Sequence, residues 1–366
     1  MNSKKSIAVY FSVVLLLVVL SYGLKNTFAY FVANQNGTAA DIKIAKLVYY
    51  LDSDDLDSNE TVLKPFEVKK IKINLTSDYD IATVYRLFYE GNVVVEKAST
   101  SADEVKSIVD AKSSKNIDLV ITNNTNEEQA VKFYADGGYV GNDLEDGNIT
   151  KEYDENILIN HVLINGSMEH TKENEYRDLN GTNNYINVDD TTYRIIGVFT
   201  IENERYLKVI TEENIGKQLF GETNNYLTSS LNDYLNVDYK DTLPMLIKSS
   251  IKEVDYYIGG TDKVLDKDYY NIERNGEKGI SSIGLMYLSD YEYASNWIKK
   301  DYKELTIVPN TSDDTKVFCI DYDEENMINS GCSVSDEAYV RPVMYLDNKL
   351  EIISGTGEVD NPFILK

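Results

Sequence analysis

From about residue 38 to 141 the chain alternates apolar and polar positions with a period of two, the signature of half-buried strands. Phe66 and Val68 share one parity, then Ile71, Ile73 and Leu75 take the other, a phase change across Lys69 and Lys70 that predicts a β-bulge. Tyr85, Leu87 and Tyr89 lie on one face, Glu90-Gly91-Asn92 turns the chain, and Val93 to Val95 returns as a hairpin. Ile117, Leu119 and Ile121 form another strand, Asn123 to Asn126 a turn, and Val131 and Phe133 one face of the partner strand. Between these, Ser101-Ala102-Asp103-Glu104 is a capping-box pattern that predicts a short helix over 102–111. Short strands with polar turns and little helix predict an immunoglobulin-like β-sandwich over 30–141.

The pattern then changes. Residues 142–185 are rich in Asn, Asp, Glu and Gly and read as a linker with one short helix around Ile157 to Leu163. From 186 to 366 strands and helices mix. Tyr193 to Phe199 and Tyr206 to Thr211 read as a hairpin, and Leu227, Leu231, Tyr234 and Leu235 recur at helical spacing. A helix beginning at Ser289-Asp290 follows a strand over Ile283 to Leu288, and Val317 to Ile320, Tyr339 to Leu346 and Phe363 to Leu365 are further strands. The expected fold class is mainly β with an α+β second half.

The N-terminus has a different character. Lys4 and Lys5 precede an uncharged, largely apolar run from Ser6 to Leu24, about 19 residues, near the length that crosses a bilayer as a helix. Lysines in front of the run favour a cytoplasmic N-terminus. Residues 1–29 are therefore a transmembrane anchor or an export signal cleaved between Ala29 and Tyr30, behind the small residues Thr27 and Ala29. Either way the rest of the chain lies outside the membrane, on the external cell surface or secreted.

Charge and cysteine content refine that placement. A formal net charge of −25 repels phosphates and excludes nucleic acid as a partner. Cys319 and Cys332 are the only cysteines, and in an oxidising exterior they are expected to form one disulfide.

Three segments of the second half carry a resemblance. They are Tyr193-Arg194-Ile195-Ile196-Gly197-Val198-Phe199, Ile283-Gly284-Leu285-Met286-Tyr287-Leu288-Ser289-Asp290-Tyr291-Glu292-Tyr293-Ala294, and Val340-Arg341-Pro342-Val343, with Ser354-Gly355-Thr356-Gly357 to Leu365 closing the chain. Together they resemble an uncharacterised domain of surface and secreted proteins from low-GC Gram-positive bacteria, itself similar to the fold of C-type lectins and the formylglycine-generating enzyme. The resemblance implies a lectin-like fold over 186–366. It transfers no site: the Glu-Pro-Asn or Gln-Pro-Asp loop and the Trp-Asn-Asp strand of Ca²⁺-dependent lectins are missing, and Trp297 is followed by Ile298-Lys299. Cys319 and Cys332 are too far apart to match the paired active-site cysteines of formylglycine-generating enzymes. At the other end, Phe28-Ala29-Tyr30-Phe31 after the apolar run is similar to the leaders of TasA-like biofilm-matrix proteins, which implies cleavage after Ala29.

Candidate chemistry is sparse. Asp52, Asp54, Asp55 and Asp57 offer weak Ca²⁺ binding at most, because Leu56 stands at a ligand position of an EF-hand loop and Asp57 at its glycine position. Asp321, Asp323, Glu324 and Glu325 read as a solvated loop between the cysteines, His161 as a packed or surface histidine, and Ser354 to Gly357 as a tight turn; His161 and His170, the only bases a reactive cysteine could use, lie far upstream of Cys319 and Cys332. No catalytic, cofactor or metal residue is assigned. Tyr256, Tyr257, Tyr269 and Tyr270 are candidates for stacking on sugars. The expected function is non-catalytic binding of a surface glycan or protein by the second half. The alternatives are a matrix or fibre subunit that self-associates through strand edges, and an extracellular hydrolase.

Overall fold

The computed structural model describes residues 47–98, 107–139, 147–172, 174–265, 268–323 and 327–366. The apolar run Ser6 to Leu24, the cleavage candidate Ala29–Tyr30, the capping box at 101–104, and Glu324 and Glu325 lie outside them. Among the described residues no helix is long and apolar enough to cross a membrane. The chain is mainly β.

Residues 47–153 form two five-stranded sheets. One contains Thr83–Glu90 and Gln129–Tyr139 at its centre; the other pairs Val68–Thr76 with Ser114–Thr122, and Val94–Ala98 with the latter. The alternation places Ile71, Ile73, Leu75, Ile117, Leu119 and Ile121 on one inner face, against Tyr85, Leu87, Val131 and Phe133 on the other. Asn123 is buried and organises its turn, donating through Nδ2 to the carbonyls of Lys64 and Glu127, both at 2.8 Å.

Two expectations for this half are corrected. There is no bulge at Lys69 and Lys70: Val68–Thr76 pairs with Ser114–Thr122 in unbroken register. The parity changes because Val68 points out of the opposite face of the sheet, where it joins Val120, Tyr153, Leu158 and Val162 in the core of the second half. The helix predicted over 102–111 is also not helical at its described end. Ile108–Val109 is a short strand on Thr83–Val84, and its Val109 is buried in the sandwich core, where a β-branched residue packs well on the pleated surface.

Residues 142–185 contain the expected helix, Leu158–Asn165, but not only a linker. Met168–Lys172 and Glu175–Asp178 are strands of the ten-stranded sheet that dominates the second half. The helix packs its Leu158, Ile159 and Val162 into the same core. The hairpin Thr191–Ile201 and Glu204–Thr211 lies at the centre of this sheet, with a register shift between Ile195 and Gly197. A five-stranded sheet through Glu304–Pro309 and Lys316–Ile320 and the small hairpin Val254–Tyr257 with Lys278–Ser281 complete the β structure. Cys319 and Cys332 form the expected disulfide, joining neighbouring strands of the five-stranded sheet.

The two halves share apolar surface and polar bonds. Tyr176 Oη accepts from Val68 N at 2.6 Å, and Arg205 Nη2 donates to the Phe66 carbonyl at 3.1 Å.

Candidate functional site

A group of charges lies inside the second half, and its position follows from strand register. Glu175 and Arg177 are two residues apart on one strand and so face the same side. Arg177 pairs with Gly197, Gly197 with Lys208, and Lys208 with Tyr345, giving one row across four strands. Gly197 makes the row feasible. A Cβ there would lie 2.3 Å from the Tyr176 carbonyl and 3.2 Å from a Phe199 ring atom, so the strands approach this closely only at a residue without a side chain.

Asp290 enters from the first turn of the helix Leu288–Ala294. Its Oδ2 accepts from Lys208 Nζ at 2.6 Å and from Tyr287 N at 2.9 Å, while Oδ1 accepts from Arg177 Nη1. Arg177 also donates through Nε and Nη2 to Glu175 Oε2, at 3.0 and 2.7 Å. The other oxygen of Glu175 accepts from Arg274 Nη2 at 2.6 Å. Buried charges must be paired to be tolerated, and each carboxylate here is held by two cations.

Titration behaviour reflects this crowding. Burial favours the neutral acid at Asp290, yet Lys208 and Arg177 outweigh it and hold the carboxyl below its ordinary range. Burial lowers Lys208 to about 8, with Asp290 opposing and Arg177 reinforcing the fall. Burial raises Glu273 to about 7. Its Oε1 accepts from Ser289 N at 2.9 Å and its Oε2 has no partner among the described residues.

Above these charges lies an aromatic layer, and above that a cleft of about 370 Å³. Lys208 Nζ sits 4.6 Å from the Tyr287 ring centroid, 5.1 Å from Phe199 and 5.4 Å from Tyr345, so one cation underlies three rings of the cleft wall. Tyr287 Oη accepts from Tyr257 N at 2.7 Å, tying the small hairpin to the helix start. Arg274 follows the short helix Tyr269–Glu273, stacks 3.7 Å from the Tyr270 centroid and lines the cleft. Burial works against the Arg274 charge, but Glu175 more than offsets it and the guanidinium pKa is raised. Burial and Glu175 together push the Tyr270 phenol up to about 12. At the rim Lys278 pairs with Asp255 at 2.5 Å.

Of the four tyrosines singled out from the sequence, Tyr257 and Tyr270 line this cleft. Tyr256 and Tyr269 are buried, donating to the carbonyls of Val343 (3.1 Å) and Leu265 (3.0 Å). The other candidates lie elsewhere. Asp55 accepts from Lys72 N at 2.9 Å, Asp321 from Lys303 and Asn329, and no group of acids, histidines or cysteines among the described residues is arranged to hold a metal. His161 is half-buried and edge-on to Phe363, with its pKa lowered by burial against the opposing pull of Glu155. His170 packs on Tyr176, and Trp297 lies 4.2 Å from the Arg194 guanidinium and donates to the Asp178 carbonyl. Ser354 to Gly357 is a turn in which Gly355 and Gly357 have positive φ and Gly357 N donates to Asn361 O.

Sequence reading missed Glu175, Arg177, Lys208, Arg274 and Asp290. The available signal was a charge inside an otherwise apolar strand, as in Tyr206-Leu207-Lys208-Val209-Ile210. The three segments that carry the resemblance each contain a buried charge, in a strand at Arg194, in a helix at Asp290 and between two strands at Arg341. Arg194 stacks on Tyr185 at 3.9 Å, Asp290 anchors the network, and Arg341 makes a buried pair with Glu304 at 2.8 and 3.0 Å. Comparison with protein-family models, with curated proteins and with solved structures returned no match for this chain.

Proposed function

We propose that the chain is a non-catalytic cell-surface or secreted protein that binds a saccharide in the tyrosine-lined cleft of its second half. In this reading the apolar run Ser6 to Leu24 exports or anchors the chain, the first half is an immunoglobulin-like stalk, and residues 186–366 are a lectin-like tip. The observation that carries the reading is the cleft itself. Tyr257 and Tyr270 present half-buried rings beside one fixed guanidinium, with the buried Tyr287 and Tyr345 forming the wall behind them, the mix of apolar faces and few placed polar groups that small-ligand sites use.

The same residues favour binding over hydrolysis. Both Glu175 oxygens are already engaged by arginines, and Glu273, the carboxyl raised to about 7, is fully buried and outside the cleft lining. A glycan array probed with the full chain tests the proposal. Retention of a saccharide class by the unmodified chain, weakened by Tyr270→Ala, is expected. Uniform failure to retain any saccharide, together with concentration-dependent fibres, would replace this reading with the matrix-subunit one.

A further inference from the structure

Resting on the saccharide reading, we infer that the ligand carries a carboxylate, as in a uronic acid residue, and that Arg274 receives it. Arg177 uses all three guanidinium nitrogens, Nε and Nη2 on Glu175 and Nη1 on Asp290. Lys208 is fully buried and spends its ammonium on Asp290. Arg274 alone of the three cations lines the cleft. It makes one bond, from Nη2 to a Glu175 oxygen; its Nη1 is sealed from solvent without a partner among the described residues, and Nε is the nitrogen left neither bonded nor sealed.

The formal charges agree. Three cations, Arg177, Lys208 and Arg274, face two fully engaged carboxylates, Glu175 and Asp290. The third acid, Glu273, neighbours Arg274 in sequence but accepts from Ser289 N instead. A ligand carboxylate at the cleft side of Arg274 completes the pairing. A guanidinium suits this task because its planar fork matches a carboxylate, and Tyr270 at 3.7 Å and Glu175 at 2.6 Å already fix its plane.

The large negative charge of the whole protein does not forbid such a ligand. At physiological ionic strength the Debye length is about 8 Å, so groups within the cleft dominate. Three of these are acids: Glu175, already bonded to Arg177 and Arg274, then Asp255 and Glu202. Lys278 neutralises Asp255, while exposed Glu202 at the hairpin turn disfavours a second anionic group beside the first. One carboxylate per site is the chemistry that fits. The ring walls favour a sugar acid over a simple organic anion, because tyrosine faces stack on pyranose C–H surfaces.

The test is calorimetry of the full chain against oligosaccharide pairs differing only in the carboxyl group. Trigalacturonate and its carboxyl-reduced counterpart form the first pair; glucuronate-containing oligomers and their reduced forms extend it. Tighter binding of the carboxylated member by about 10- to 100-fold is expected, the range of a hydrogen bond to a charged group. Arg274→Gln should erase that preference, and Arg274→Lys should keep part of it. Equal affinity for both members of every pair, or a preference that survives Arg274→Gln, overturns the inference and leaves saccharide binding intact. Failure to bind any member overturns saccharide binding as well. Should Arg274→Gln fail to fold, the pairs measured on the unmodified chain decide the question.

Discussion

Lys208 and Asp290 are 82 residues apart in the chain, yet their Nζ and Oδ2 atoms meet at 2.6 Å with both side chains sealed from solvent. That contact joins the central hairpin to the helix that starts just after Tyr287, and so it holds up the cleft floor. Asp290→Asn would leave Lys208 and Arg177 sharing one neutral partner inside the protein. A loss of about 3–5 kcal/mol is expected, the cost of breaking a buried pair from one side. Urea denaturation of the two proteins measures it.

Gly197 is equally constrained, though by space and not charge. With a backbone oxygen only 2.3 Å from where its Cβ would stand, Gly197→Ala must push apart the strands that hold Arg177. The expected destabilisation is about 1–3 kcal/mol, typical of overpacking, with a lower thermal midpoint. Ala at exposed Gly331 should change it little, since only one side-chain atom, at 3.3 Å, lies near the position of its Cβ.

Glu273 gives the fold a pH dependence of definite sign. Its folded pKa, about 7, lies above the ordinary value of 4.5. The native state therefore holds this proton to higher pH than the unfolded chain. The contribution is fully present below about pH 4.5 and is lost as pH rises to about 7, a change of roughly 3 kcal/mol. Glu273→Gln keeps a neutral side chain throughout. The stability difference between the two proteins should shift by that amount in favour of the variant between pH 4.5 and 7.5, and a constant difference would refute the assignment.

The tyrosines should separate into two classes. Tyr270→Ala removes a half-exposed ring from the cleft and is expected to weaken saccharide binding by about 1 kcal/mol, with a small effect on unfolding. Tyr256→Phe removes one buried hydrogen bond to Val343, so stability should fall by about 1 kcal/mol while affinity holds.

Replacing Cys319 and Cys332 together with Ala should cost on the order of 3 kcal/mol, with saccharide affinity retained, because neither cysteine lines the cleft. Thermal melting with and without reductant checks the same point on the unmodified chain.

Much of the β framework was legible because period-two alternation is a local property. The central hairpin at 193–199 and 206–211, the inner faces of the first half and the disulfide could all be read residue by residue. Adjacent tyrosines also obey the alternation: Tyr256 turns into the core and Tyr257 toward the cleft. What could not be read depends on contacts distant in sequence. The parity change at Val68 looks like a bulge until the second half is seen to cover the outer face of that strand. Glu175 and Arg177 look like ordinary polar residues in a linker until Lys208 and Asp290 arrive beside them. The pairing of Arg274 with Glu175, 99 residues apart, leaves no local trace at all.

The bonds from Tyr176 and Arg205 to Val68 and Phe66, and the apolar wall around them, make the junction a packed joint among the described residues. Severing the chain near residue 142 would lay bare Leu158, Val162 and Tyr176 on one fragment and Val68, Val120 and Tyr153 on either side of the cut. Each piece alone would be adhesive in the wrong sense, clumping through its raw face. Joined, they keep the cleft at a constant bearing to the body that carries it.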